Sequence, residues 1–409
     1  MAEIKEGELI EGGAIPPDDF HDNIERIVEI ADFELEIPPD LIQQLEQSSS
    51  HLLIDKDVLI SAAMALINGN LVLQGPPGTG KSSFARALCK AFNCAIMPVT
   101  AHEDWSVFEV IGRQELKVDN DGNEEILPVN GFFTEAVIRS AGYIVKHFDN
   151  TDEPQAEWLL IDELNRAHLD RAFGELFTVL GTDEPVPITL PHQHIGNREI
   201  VTPKRFRIIA TLNSVDRQFV NSLSQGLRRR FSFITIDVPP PRNNNEAWTN
   251  TGDSASLAAR EFSLVIDRSI NRIVRRMANG DDEKGNEILT RIRDVITPNS
   301  ISTIQELFNL IEMIRYAKSD SKTPHLPIGT AILIDTVELF LTRALVEDNT
   351  DYSSLIDWAA SIKIAPIFDA DTINTADLEE FIKKIPAPFD KRTKKEIAQI
   401  VAAGLYFVE

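Results

Sequence analysis

A chain of 409 residues has room for two or three domains, and its net charge of −24 disfavours bulk binding to a phosphate backbone. Hydrophobic and charged contents of 43% and 25% are those of an ordinary globular protein, no apolar run approaches the roughly 20 residues of a membrane span, and the opening Met-Ala-Glu-Ile-Lys-Glu is unlike a signal peptide, so the cytoplasm is the expected compartment. The two cysteines, Cys89 and Cys94, are too few for a disulfide scaffold and read as packed thiols.

Residues 1–50 hold 14 acidic and only 2 basic side chains. With Pro16-Pro17, Pro38-Pro39 and a short helical stretch from Asp22 to Asp32, they read as an acidic arm, either loosely ordered or a docking segment for a partner or neighbouring subunit. From Asp55 to Asn68, apolar residues at helical spacing lead into the short run Leu71-Val72-Leu73. Next comes Gly75-Pro76-Pro77-Gly78-Thr79-Gly80-Lys81-Ser82, with Ser83 opening a helix that runs to Phe92. Strand, glycine-rich loop and helix together make G-x-x-x-x-G-K-[ST] a phosphate cradle. Glycines let backbone N–H groups converge on a triphosphate, and the helix beginning near Lys81 adds its positive dipole end. Lys81 supplies charge for the β- and γ-phosphates, and Ser82 supplies an oxygen for Mg²⁺.

Ala95 to Val99 reads as a second strand, followed by a hairpin insertion turning at Asn120-Asp121-Gly122-Asn123 and a helix from Gly131 through Tyr143. Trp158-Leu159-Leu160-Ile161-Asp162-Glu163 is a buried strand ending in two carboxylates. Beside a phosphate loop, Asp162 would hold the Mg²⁺ shell and Glu163 would polarise the attacking water. Residues 164–180 read as helical. A hairpin at 183–204 contains His192-Gln193-His194, which lacks an evident third metal ligand and reads as a surface feature. The strand from Phe206 to Thr211 delivers Asn213 to its carboxyl end, where open α/β sheets bind ligands and a γ-phosphate or its water would lie. A helix ending in Arg228-Arg229-Arg230 and the strand Phe231 to Ile236 complete this region. A local basic lining for nucleic acid could still exist, for example around Lys204, Arg205 and Arg207.

Pro239-Pro240-Pro241 and Asn243-Asn244-Asn245 mark a boundary. Beyond it the pattern is helical, near 254–278, 286–295, 301–318, 328–347, 373–385 and 390–405, with no catalytic constellation. The expected organisation is an acidic arm (1–50), an α/β nucleotide-binding domain with a three-layer parallel-sheet core (51–240) and an α-helical lid (241–409).

These motifs resemble the AAA+ superfamily of P-loop NTPases in its McrB and MoxR neighbourhood. Leu160 through Ala167 looks like the Walker B stretch of the McrB group. Leu212-Asn213-Ser214-Val215-Asp216-Arg217 is similar to its Met-Asn-Thr-x-x-Arg signature, and Leu227-Arg228-Arg229-Arg230-Phe231 to its arginine-finger segment. The resemblance implies a ring-forming homo-oligomer, a hexamer, with Glu163, Asn213, Asp216, Arg228 and Arg229 as catalytic residues. It implies Mg²⁺ as cofactor, ATP as nucleotide with GTP as the alternative, and an effector or substrate protein encoded elsewhere. The implied setting is the motor of an McrBC-like defence complex. Alternatives are a MoxR-type chaperone acting on a von Willebrand-domain protein, and a nucleotide-switched scaffold with little turnover. McrB of restriction systems carries an amino-terminal DNA-reading domain, whereas here a short acidic arm precedes the motor, so strong duplex DNA binding is not expected.

Overall fold

The computed structural model describes residues 33–405 apart from 119–123, 175, 177–179, 181–186, 191–198, 215–224, 244–245, 251, 253–254, 318–322 and 369–374. Contacts divide the chain into two units. The first holds the described residues up to Ser49, with Asp57–Gln74 and Ser82–Ile234; the second holds Ser50–Lys56, Gly75–Lys81 and Thr235 onward.

The first unit is built on a five-stranded sheet in the order β2-β5-β8-β1-β9, formed by β1 (Asn70–Gly75), β2 (Ala95–Thr100), β5 (Glu157–Asp162), β8 (Ile208–Asn213) and β9 (Phe231–Thr235). β2 and β5 pair in parallel, as do β5 and β8, with Ile161 opposite Ala210. β5 and β8 are each buried along their first five residues and emerge only at Asp162 and Asn213. Their apolar stretches, residues 158–161 and 208–210, are what a strand covered on both faces requires. Helices α1 (Leu41–Ser48), α2 (Lys56–Asn68), α3 (Lys81–Ala91), the one-turn α4 (Val107–Val110) and α5 (Phe132–Asp149) accompany the sheet. Trp105, Phe133, Phe173 and Phe206 fill the core with Leu159, Ile161 and Ile208. Cys89 and Cys94 are buried free thiols, and burial pushes the Cys89 thiol up to about 12, so packing is their role.

Two antiparallel hairpins project from this unit. One joins β3 (Gly112–Val118) to β4 (Glu124–Asn130), and its turn lies outside the described residues. The other joins β6 (Pro187–Thr189) to β7 (Glu199–Val201), and His192-Gln193-His194 likewise lie outside the described residues. The stretch expected to be one helix over 164–180 is broken. A single 3₁₀ turn spans Leu164–Arg166, Ala167 is extended, and α6 covers Leu169–Phe173.

Residues 33–36 are pinned rather than loose. The Gln155 side chain accepts from Glu36 N and donates to Glu36 O, both at 2.9 Å, and Phe33 stacks on Phe148. Arg205 donates to Glu34 O and to the Glu36 carboxylate, and Lys204 pairs with Glu34. Arg207 spends its guanidinium on the carbonyls of Leu66, Ile67, Lys204 and Phe206. The three cations that could have lined a nucleic-acid channel are therefore engaged in holding the unit together.

The second unit is helical beyond β9. Its helices are α8 (Leu257–Ala278), α9 (Asp282–Val295), α10 (Pro298–Arg315), α11 (Thr330–Glu347), α12 (Tyr352–Lys363), α13 (Thr375–Lys384) and α14 (Arg392–Leu405). The four-residue helix Gln225–Arg228, numbered α7, precedes β9 in the first unit. α12 is absent from the sequence expectation. The core of this unit is rich in phenylalanine, with Phe262, Phe308, Phe340, Phe368, Phe381 and Phe389 all at 2% exposure or less.

Candidate active site

Two carboxylates leave the sheet at the end of β5. Asp162 accepts from Ser82 Oγ at 3.0 Å to Oδ1 and 3.2 Å to Oδ2, although the two residues lie 80 positions apart. Ser82 stands in the first turn of α3 and Asp162 at the carboxyl end of β5, so helix and strand together close the pair. Thr211 on β8 donates its hydroxyl to Asp162 Oδ1, and Thr211 Oγ1 in turn accepts from Glu163 N at 3.0 Å. This follows from register: Ile161 faces Ala210, so the next step along both strands brings Asp162 to Thr211. Thr211 is 1% exposed, and its hydroxyl orients both carboxylate residues.

Glu163 ends the strand in the left-handed region, at φ 55°. That conformation costs a non-glycine residue about 1–3 kcal/mol and persists only where its surroundings hold it. The Thr211 hydroxyl on Glu163 N is one such hold. On its side-chain end, Glu163 meets Arg166 at 2.5 Å, one 3₁₀ turn later, in a pair that is 37% and 59% exposed. Asn165, buried in that turn, accepts from Asn213 N at 3.4 Å. β8 thus brings Asn213 to the same edge as Asp162 and Glu163.

The phosphate loop has its own geometry. Lys81 is 9% exposed, and its ammonium donates to Gly75 O at 2.9 Å and Pro76 O at 2.6 Å. Thr79 Oγ1 donates to Pro76 O at 3.0 Å, tightening the turn. Gly78 has φ 77°, a left-handed conformation that favours glycine, and a Cβ there would also crowd the Cβ of Ala331 at 3.0 Å. A cavity of about 410 Å³ adjoins the loop in the same unit, walled by Leu52, Leu53, Ile54, Arg260, Asp267 and Arg268 among others. Leu52 joins the two, since its Cδ2 would be 3.4 Å from a Cβ on Gly80.

The remaining expected site residues are placed as follows. Ser83 lies in the first turn of α3, next to Ser82. Arg228 and Arg229 are exposed at and just after the end of α7, whereas Arg230 turns back to donate to Gly226 O. Asp216 lies outside the described residues. Sequence reasoning missed Thr211 and gave Asn165 no role. A hydroxyl two residues before Asn213, on the strand that delivers it, was the available signal for the first.

Ser82 and Asp162 present one hydroxyl and one carboxylate within hydrogen-bond distance of each other. This oxygen set suits Mg²⁺, which takes one or two carboxylates and fills the rest of its shell with water and phosphate oxygens. Those two residues would hold the ion.

Comparison with known proteins agrees with this geometry. Residues 70–231 match the family described as AAA domain (dynein-related subfamily). The chain is 28% identical over 241 residues to the Type IV methyl-directed restriction enzyme EcoKMcrB subunit of Escherichia coli (strain K12), covering 55% of this chain and 49% of that protein. It is 24% identical over 234 residues to protein NorQ of Paracoccus denitrificans, covering 56% of this chain and 73% of NorQ. An uncharacterized protein of Staphylococcus epidermidis is 25% identical over 177 residues, covering 43% and 58% of the two chains. The match therefore spans about half the length of the McrB subunit. The matched domain begins at β1 and ends at β9 with its Ser82–Asp162 pair formed, so residues 70–231 form an AAA domain, and the likeness to the McrB subunit and NorQ supports an AAA+ ATPase of the McrB/MoxR neighbourhood.

Proposed function

We propose that this chain is a ring-forming, Mg²⁺-dependent motor, hexameric and fuelled by ATP, that drives the remodelling or activation of a partner protein within an McrBC-like defence complex. The observation that carries its nucleotide chemistry is the Ser82–Asp162 hydrogen bond, which joins the phosphate-loop helix to the strand that ends in Glu163. Lys81 binds the β- and γ-phosphates, exchanging its carbonyl partners on Gly75 and Pro76 for phosphate oxygens. Mg²⁺, when bound, neutralises charge on the phosphate oxygens. Glu163 accepts a proton from the attacking water as it leaves its pairing with Arg166, and Asn213 orients that water. Arg228 and Arg229, exposed and away from these groups in sequence, act on the neighbouring subunit's nucleotide. The 410 Å³ cavity beside Gly80 takes the base, with GTP as the alternative to ATP.

The likeness to the McrB subunit supports the defence setting. A MoxR-type role, acting on a von Willebrand-domain protein, is supported by the 73% of NorQ that the match spans. Two variants test the chemistry. Lys81→Ala is expected to abolish ATP binding, whereas Glu163→Gln keeps binding and stops turnover. Wild-type turnover in Glu163→Gln removes Glu163 as the base. Proteins that co-purify from the native host separate the settings: a nuclease supports the first, a von Willebrand-domain protein the second.

A further inference from the structure

Among its described residues the second unit contains a buried ion pair between two helices. Glu261 of α8 and Arg315, the last residue of α10, are 1% and 4% exposed and meet in a two-pronged fork at 2.6 and 2.8 Å. Apolar residues of similar volume usually serve stability as well as a buried ion pair does, so the pair calls for a role in orientation. Its remaining hydrogen bonds show what it orients. Arg315 Nε donates to Ile328 O at 2.8 Å, and Thr330 Oγ1 donates to Glu261 Oε1 at 2.6 Å. Both grips fall on either side of Gly329, the residue that caps α11 without any side-chain hydrogen bond.

Gly329 is where α11 meets the phosphate loop. A Cβ on Gly329 would lie 2.1 Å from Pro77 O, so no other residue fits there. Two residues on, Ala331 N donates to Gly78 O at 3.2 Å. The turn 328–331 is therefore gripped from one side by the ion pair and pressed on the loop from the other.

We propose that Glu261, Arg315 and Thr330 are positioning residues for the phosphate loop. They hold the amino end of α11 against Pro77 and Gly78, which fixes the loop in its phosphate-accepting shape and ties nucleotide occupancy to the helical unit. They act through Gly329 and Ala331, and the inference rests on the reading of this loop as the ATP site. A pre-shaped loop pays less ordering entropy on binding, so loosening it should weaken affinity more than it slows the chemical step.

The test uses the 409-residue chain with Mg²⁺-ATP as probe, in the Glu163→Gln background where binding must be read without turnover. Thr330→Val keeps the shape of the residue and removes only its hydroxyl, whereas Thr330→Ser keeps the hydroxyl. The expected result is an ATP Kd raised about tenfold in Thr330→Val, the scale of one buried hydrogen bond, and near wild type in Thr330→Ser. In the wild-type background KM should rise by a similar factor with kcat changed less than twofold, and amide exchange across 328–331 should lose its protection by ATP. A second variant, Glu261→Leu/Arg315→Met, replaces the pair by apolar groups and should weaken binding at least as much while the protein stays folded. If that variant unfolds, Thr330→Val against Thr330→Ser still decides. Wild-type affinity and exchange in a folded Thr330→Val protein overturns the positioning role while leaving the ATP site intact. If the parent protein binds no ATP and behaves as Lys81→Ala does, the ATP-site reading and this inference fall together.

Discussion

Thr211 is the side chain on which the two carboxylate residues of the site converge, and Thr211→Val isolates its contribution. The substitution keeps volume and β-branching on a strand, so packing is nearly unchanged. What it removes is the bond to Asp162, which is charge-assisted and contributes about 1.5–3 kcal/mol, and the bond from Glu163 N, about 0.5–1.5 kcal/mol. Together these amount to about 3 kcal/mol, all at a residue that is 1% exposed, where no water takes over the lost partners. In a unit of this size, about 3 kcal/mol lowers the melting temperature by about 6–12 °C. The left-handed backbone at Glu163 also loses a hold, so its carboxylate should leave the water-activating position and turnover should fall by at least about tenfold. Scanning calorimetry and a phosphate-release assay on Thr211→Val and Thr211→Ser measure both effects, with the serine variant expected close to wild type. A valine variant that melts within about 2 °C of wild type and hydrolyses ATP at the wild-type rate would refute the reasoning.

Arg228→Ala/Arg229→Ala should lower turnover by about a thousandfold or more if these residues act as a finger, while ATP affinity and melting temperature, measured by titration and calorimetry, stay near wild type because both side chains are exposed. Glu246 gives a pH signature: hydrogen bonds from the Ser256 hydroxyl and amide and from Asn250 hold its carboxyl down at about 2, below the ordinary value of 4.5. A depressed folded-state pKa gives stability that is present above the ordinary value and lost as pH falls from 4.5 toward 2, so Glu246→Gln should flatten the acid limb of a melting-temperature profile over that window. Duplex DNA should bind weakly at physiological salt, because Lys204, Arg205 and Arg207 are already committed to Glu34, Glu36 and backbone carbonyls. Sub-micromolar binding with a steep salt slope, read by fluorescence anisotropy, would contradict that.

The parts of this protein legible in its sequence are those fixed locally. The phosphate loop is specified by its glycines and by the flanking strand and helix, and β5 and β8 by apolar runs that end in a polar residue. What the sequence could not supply is register. Nothing in either strand alone says that Thr211 rather than Asn213 faces Asp162; that depends on Ile161 pairing with Ala210. The buried pair Glu261–Arg315 is hidden for the same reason, since 54 positions separate residues that read as ordinary helix-surface charges. Two of the helices missed were missed on different grounds. α1 is only two turns long and sits between Pro38-Pro39 and a serine run, so just Leu41 and Leu45 mark its buried face. α12 did carry a signal, in the Asp351 cap and in Leu355, Ile356, Ala359 and Ala360 at helical spacing.

The end of β5 shows how strand geometry prepares chemistry. Had Glu163 continued the strand, its side chain would have pointed to the opposite face from Asp162, because successive strand residues alternate. The left-handed turn at Glu163 breaks that alternation and starts the 3₁₀ turn that carries Arg166 round to its carboxylate. A partly exposed pair of this kind contributes at most about 1 kcal/mol, a factor of about five in population. Arg166 therefore restrains Glu163 without removing it from use, and the carboxylate remains within reach of water at little cost. The strain is concentrated in one residue and secured by a buried hydroxyl. Asp162, one step earlier, stays in regular strand geometry and so keeps its fixed distance to Ser82.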